Sequence, residues 1–235
     1  VALILHGMLG HKDYLYQKTL AHALPIPSIR FDFGGNGDSG DRFIRSHLKD
    51  DITDVESVAT WARNTGFQVS GVIGHSRGGG VAINWAIQHR PRDLQWIVDL
   101  SGRYYLGPEA SLINTDEINQ ALQNKGYHDR VYTARGRKVI TRLTQADVAE
   151  FKTLPTSMDG LLQPFPYELL ILHGSKDAIV DVKDSRRYHE VVPGSTLKVF
   201  PEVDHNFTGN KSQVVQTILT WLDQKSFLPA PQANL

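Results

Sequence analysis

Val72-Ile73-Gly74-His75-Ser76-Arg77-Gly78-Gly79-Gly80 decides how the rest of the chain is read. The apolar run Gln68-Val69-Ser70-Gly71-Val72-Ile73 has strand character and leads straight into Gly-x-Ser-x-Gly. It leaves as the helix-like run Val81-Ala82-Ile83-Asn84-Trp85-Ala86-Ile87. A serine at the tip of a sharp strand-to-helix turn sits in a strained backbone conformation with its Oγ exposed. Gly74 and Gly78, two residues to either side of Ser76, let strand and helix approach closely. The helix N-terminus just beyond offers unpaired N–H groups and a positive dipole end to negative charge forming near Ser76. Ser76 is the expected nucleophile; the plainer alternative is a glycine-rich turn that happens to contain a serine.

Outward from this turn, strands alternate with helices. Val1 to Leu5 reads as a buried strand that runs into the loop His6-Gly7-Met8-Leu9-Gly10, and with nothing before it further N-terminal residues are expected upstream. A helical stretch around Leu15 to Leu24 is stopped by Pro25 and Pro27. Ser28 to Phe33 is a second strand. From Leu48 to Ala62 apolar residues recur at helical spacing (Leu48, Ile52, Val55, Val58, Ala59, Ala62). The Ser76 strand and helix follow, closed by Pro91, and Gln95 to Leu100 is a fourth strand. Short glycine-bearing loops between such units predict an α/β fold with a mostly parallel, doubly wound sheet covered on both faces.

The pattern breaks between Arg103 and about Phe165. That segment is polar, with helical patches near Asp116 to Gln123 and Ala146 to Phe151, the second opened by Thr144 as N-cap. A short hairpin is expected over Val131 to Val139, around Arg135-Gly136. Tyr167 to Leu172 then resumes the sheet, followed by a helix over Lys183 to Val191, the strand Thr196 to Phe200 and a helix from Ser212 to Leu222. The domain boundaries read 1–102 and 166–235 for the core and 103–165 for the excursion.

A serine hydroxyl is a poor nucleophile until a base takes its proton, and the base needs a third group to hold its tautomer. In an open α/β sheet these groups belong on loops at the C-terminal strand ends, on the same edge as Ser76. Two downstream loops fit: His173-Gly174-Ser175-Lys176-Asp177 and Pro201-Glu202-Val203-Asp204-His205-Asn206-Phe207. The chain order Ser76, Asp177, His205 is the one expected of this architecture. His205 is favoured as base because, of ten histidines, it alone lies in the loop after the last strand. His6 and His173 each precede a glycine at a strand end and read as loop-holding residues. For the acid, Asp177 fits best, Asp99 at the end of the fourth strand stands as an alternative, and Asp181 and Asp204 are weaker. An oxyanion needs two donors, expected from the backbone N–H groups of Arg77, directly after the nucleophile, and Met8 in the first loop.

Composition excludes several other classes. The 235 residues are 40% hydrophobic and 21% charged, an ordinary globular balance with room for one sizeable core. Lys+Arg and Asp+Glu number 25 each, so net charge gives no reason to expect nucleic acid or an anionic membrane surface as partner. With no cysteine, disulfides, thiolate metal sites and a cysteine nucleophile are ruled out. No apolar run has the length of a membrane span, and the expected location is the cytoplasm. Gly35-Asn36-Gly37-Asp38-Ser39-Gly40 is a literal G-x-G-x-x-G after a strand, but Asp41-Arg42-Phe43-Ile44-Arg45 gives the third glycine no clear helix to open. Nicotinamide, flavin and metal are accordingly not expected, the last because neither H-E-x-x-H nor a ligand cluster is present.

Taken together, the chain resembles serine hydrolases of the α/β-hydrolase superfamily, nearest to small cinnamoyl/feruloyl-esterase-like and serine-aminopeptidase-like enzymes. The stretches that carry the resemblance are Leu5 to Gly10, Phe31 to Ser39, Gly74 to Gly79, His173 to Asp177 and Asp204-His205. They span the whole chain; they are specific for the superfamily and weakly specific for substrate. The resemblance implies an eight-stranded sheet whose first two strands precede Val1, and a lid formed by 103–165. By matching position it implies Ser76 as nucleophile, Asp177 as acid, His205 as base and Met8 and Arg77 as oxyanion donors, with no cofactor. It makes Gly34 to Gly40 a structural turn; members often carry a polar residue where Gly34 stands. The implied activity is hydrolysis of a small-molecule carboxylic ester. A ligand-binding receptor of the same fold with little turnover, or an acyltransferase using the same triad, are the alternatives.

Overall fold

The computed structural model describes residues 1–40, 48–105, 115–134, 137–152 and 157–229. Six strands form one parallel sheet: β1 (Ala2–Leu5), β2 (Ser28–Arg30), β3 (Gly71–His75), β4 (Trp96–Leu100), β7 (Glu168–Gly174) and β8 (Thr196–Phe200). The strand order is β2-β1-β3-β4-β7-β8, so the chain steps one way from β1 and then turns back across it. Between them, β5 (Tyr127–Ala134) and β6 (Arg137–Thr144) make a separate antiparallel pair.

Strand periodicity sorts the core into two layers. In β1, Leu3 and Leu5 face one cluster while Ala2 and Ile4 face the other, and β7 divides the same way into Leu169 and Ile171 against Leu170 and Leu172. Both sheet faces are therefore apolar, as a parallel sheet requires. Helix α1 (Gln17–Ala23), which links β1 to β2, packs with α7 (Lys211–Gln224) on one face. Helices α2 (Leu48–Asn64), α3 (Arg77–His89) and α6 (Val182–Val191) lie on the other. The switch of faces follows from handedness: reversing the direction of travel at β2 while keeping right-handed crossovers puts α2 opposite α1. The reversal also leaves a crevice at the C-terminal ends of β1 and β3, where such sheets take ligands.

The sheet's continuity breaks where the sequence pattern does. Between β4 and β7 lie α4 (Asp116–Lys125), the β5–β6 pair and α5 (Gln145–Phe151). Thr115 caps α4 by accepting from the Ile118 N–H, and Gly126 ends it at φ 77°. At the base of the excursion Tyr105 bridges Ser157, the Met158 N–H donates to the Tyr104 carbonyl, and Tyr104 Oη donates to Asp159 Oδ1 at 2.6 Å. Tyr104 and Met158 are fully buried in the α2–α3–α6 layer, which ties both ends of the segment to the core. The hairpin is longer than the expected Val131 to Val139, and its tip, 135–136, lies outside the described residues. Its length follows from cross-strand pairing: Arg142 forks onto Asp129 with two bonds of 2.7 Å and lies over the Tyr127 ring at 3.8 Å.

Candidate active site

Ser76 joins β3 to α3 at φ 54°, ψ −118°, a conformation that a non-glycine residue holds only when its surroundings fix it. Close packing does the fixing. A Cβ on Gly74 would stand 2.2 Å from the Gly78 carbonyl oxygen, and one on Gly78 would stand 2.6 Å from the His6 carbonyl oxygen. The Ser76 N–H donates to the Leu100 carbonyl at 2.7 Å, while its own carbonyl accepts from Gly79 and Gly80 in the first turn of α3.

The structure brings the three sequence-selected side chains together. His205 Nε2 lies 2.9 Å from Ser76 Oγ, and His205 Nδ1 lies 2.6 Å from Asp177 Oδ2. A carboxylate only accepts, so Nδ1 carries the proton and Nε2 is left to accept from the serine hydroxyl. Asp177 is held in turn: its Oδ1 accepts the Ile179 and Val180 N–H groups, both at 2.8 Å. Burial alone would raise its pKa, but bonds from His173, His205 and Val180 outweigh that and hold the carboxyl well below the usual range. The two loops that carry Asp177 and His205 are stitched to each other, with Ser175 N–H donating to the Phe200 carbonyl and Lys176 N–H to the Val203 carbonyl.

The first loop runs against Ser76. A Cβ on Gly7 would meet Ser76 Cβ and His75 Nδ1, each at 3.2 Å, and the next residue in the chain, Met8, is exposed. On the other side, the Arg77 side chain pairs with Asp51 of α2, both groups largely buried. The remaining acid candidates are placed elsewhere. Asp181 caps α6 by accepting the Lys183 N–H, and Asp204 accepts the Thr208 N–H. Asp99 is fully buried on the α3 side of the sheet, where a Cβ on Gly79 would come within 1.9 Å of its Oδ1. Burial pushes its pKa up to about 7.

The loop-holding histidines have definite partners. His6 donates from Nδ1 to the Gly7 carbonyl and accepts the Phe33 N–H at Nε2, and burial drives its pKa down to about 4. His173 has Ser185 Oγ at 2.6 Å from Nδ1 and the Val180 carbonyl at 2.9 Å from Nε2. Sequence reasoning missed one contact here: His173 Nε2 is also 3.1 Å from Asp177 Oδ2. The His–x–x–x–Asp spacing was its only trace in the sequence. At the glycine-rich loop, Asp32 takes the Asp38 N–H together with the Lys12 N–H and ammonium, while the Gly35, Asn36 and Ser39 N–H groups donate to main-chain carbonyls. Among the described residues no cluster of three metal-ligating side chains occurs, and no helix is long and apolar enough to cross a membrane.

A parallel sheet turning back at its first strand, with the strained serine at its C-terminal edge, is the α/β-hydrolase fold, and this chain has it. No protein-family model matches the sequence. Among solved structures, Est1E from Butyrivibrio proteoclasticus, solved with ferulic acid bound, superposes with a TM-score of 0.78 at 20% identity over 95% of this chain and 88% of that one. Alpha/beta hydrolase domain-containing protein 10 from mouse gives 0.70 at 19% identity, over 95% and 90% of the two chains. Monoacylglycerol lipase from Paleococcus ferrophilus gives 0.68 at 18%, over 94% and 93%.

Proposed function

We propose that the chain is a serine hydrolase that cleaves a carboxylic ester of a small molecule through an acyl-enzyme. The observation that carries this reading is the run of two short contacts from Ser76 Oγ through His205 to Asp177. His205 Nε2 takes the hydroxyl proton as Ser76 Oγ bonds to the ester carbonyl carbon, and Asp177 stabilises the resulting imidazolium. The oxyanion accepts from the Met8 and Arg77 N–H groups. The C–O bond to the alcohol then breaks as His205 returns the proton to the leaving oxygen. Water attacks the acyl-enzyme with His205 again as base, releasing the acid and restoring Ser76. Residues 103–165 act as the lid over this edge and set the acyl preference.

The test is hydrolysis of a panel of p-nitrophenyl esters and methyl hydroxycinnamates, the latter chosen because ferulic acid is the ligand of one structural neighbour. Ser76→Ala is expected to lose at least ~10³-fold in kcat/KM, about 4 kcal/mol of transition-state stabilisation. A parent protein inactive on every member, or a Ser76→Ala variant as active as the parent, would overturn the assignment.

A further inference from the structure

His205 is one of two imidazoles on the same carboxylate oxygen. His173 Nε2 approaches Asp177 Oδ2 to 3.1 Å from the β7 side, while His205 Nδ1 reaches that oxygen from the β8 loop at 2.6 Å. Both His173 and Asp177 side chains have no solvent exposure, so neither contact is screened by water. Nε2 of His173 also faces the Val180 carbonyl, an acceptor, and so carries a proton; Nδ1 is anchored on Ser185 Oγ of α6. The imidazole is thus clamped on both edges, its Nε2 proton directed at the Val180 carbonyl with Asp177 Oδ2 alongside at 3.1 Å.

We propose that His173 is a positioning residue for the acid of the triad: by sharing Asp177 Oδ2 with His205, it fixes the carboxylate and sets how strongly it supports a proton on the base. This rests on the serine-hydrolase reading above. The physical reason is that one carboxylate serves two imidazoles, so charge given to His173 is withheld from His205, and a proton on either ring disfavours one on the other.

The electrostatic surroundings of His173 come from every packed element. Asp99 faces it from β4, Ser185 holds it from α6, where Asp184 and Tyr188 lie near Asp99, and Arg103 follows β4 close to Asp184 and Asp177. His75 of β3 also faces it, as a neutral ring whose own pKa is driven down chiefly by burial. Burial disfavours a proton on His173, yet the neighbouring Asp177, the Val180 carbonyl and Asp99 outweigh that and raise its pKa. Asp177 and the Val180 carbonyl thus make this ring a second site for positive charge beside the same carboxylate.

The experiment compares the parent with His173→Gln, which keeps an N–H donor, and His173→Phe, which keeps none. Two readouts are taken: the acid limb of kcat/KM, and NMR titration of the His205 ring with its low-field Nδ1 proton. Freed of the second imidazole, Asp177 supports a proton on the base more strongly, so the acid limb of kcat/KM is expected to move to higher pH in the order parent, Gln, Phe. Limbs and titrations that coincide in folded protein, whatever the loss in kcat, would show a merely structural histidine and overturn the proposal. Should the Phe variant fail to fold, the Gln variant decides by the same criterion. The NMR titration needs no turnover, so it stands apart from a failure of the esterase reading, which Ser76→Ala reports separately.

Discussion

His75 Nε2 donates to the main-chain carbonyl oxygen of His205 at 2.9 Å, so the residue before Ser76 holds the backbone of His205 from behind. The ring is buried and its pKa is driven down to about 4, chiefly by burial and then by His205, so it donates as a neutral imidazole. Its Nδ1 has no hydrogen-bond partner among the described residues. His75→Phe leaves the His205 carbonyl unpaired in the interior, at a cost of ~1–3 kcal/mol. The expected result is a lower melting temperature together with a kcat reduced roughly tenfold, since the base is no longer held in line. His75→Gln, which keeps a donor, is expected to retain more of both. Thermal unfolding and ester hydrolysis on the same preparations check this.

Asp177 and Asp99 were both plausible acids in the sequence, and their environments predict opposite behaviour. Asp177→Asn is expected to lose about 10⁴-fold in kcat, because an amide at Oδ2 favours the wrong His205 tautomer. Asp99→Asn is expected to stay within a few-fold of the parent, and a loss as large as that of Asp177→Asn would return Asp99 to the site.

Stability distinguishes the same two residues. The folded protein keeps a proton on Asp99 up to about pH 7, whereas the ordinary value is 3.8. Between those values the folded state binds the extra proton, so this group lowers stability as pH rises through the window, by as much as about 4 kcal/mol. Asp99→Asn removes that penalty. Its melting temperature, relative to the parent's, is expected to be higher at about pH 8 than at about pH 5, and an equal difference at both would contradict the buried-carboxyl argument. His6 and His75 act in the opposite sense: their lowered values make stability rise with pH between about 4 and 6.5, in parent and variant alike.

Gly74 and Gly80 sit six residues apart in the same turn-and-helix unit and predict opposite outcomes. A Cβ at Gly74 would press on the Gly78 carbonyl group, whose atoms are backbone and cannot swing away, whereas one at Gly80 meets nothing within 4 Å. Gly74→Ala is expected to cost ~1–3 kcal/mol or more, a fall of roughly 5–10 °C in Tm, with loss of Ser76 reactivity. Gly80→Ala, inside α3, is expected to be neutral or to stabilise by up to about 1 kcal/mol. Calorimetry on the pair checks both.

Local pattern was enough wherever neighbours in sequence are neighbours in space. Thr196 to Phe200 was read with its observed limits, and the Ser76 turn was legible because strand, glycines and helix lie within one stretch. The first helix was read as starting at Leu15 and begins at Gln17, since Leu15 adopts φ 54°. The second strand was read to Phe33 but leaves the ladder after Arg30, and the Phe33 N–H goes instead to His6 Nε2. Contacts between distant residues left no such trace. His75 and His205 are 130 positions apart, and the Asp129–Arg142 fork that lengthens the hairpin forms only once both strands are in register. Asp99 looked like an ordinary strand-end carboxylate because its burial depends on Gly79 of α3 and Gly102 closing over it.

Ser76 owes its contorted backbone to one pair of glycines, and its hydrogen bond to a histidine 129 positions away that leans on an aspartate 28 positions from itself. None of these supports survives in an unfolded chain, where this residue is one ordinary hydroxyl among many. On the serine-hydrolase reading, a fluorophosphonate that captures Ser76 counts intact molecules: the labelled fraction of a heated or acid-treated sample is a census of the native population. Read over time, its decay is a clock for loss of the whole fold, with the chain acting as its own reporter dye.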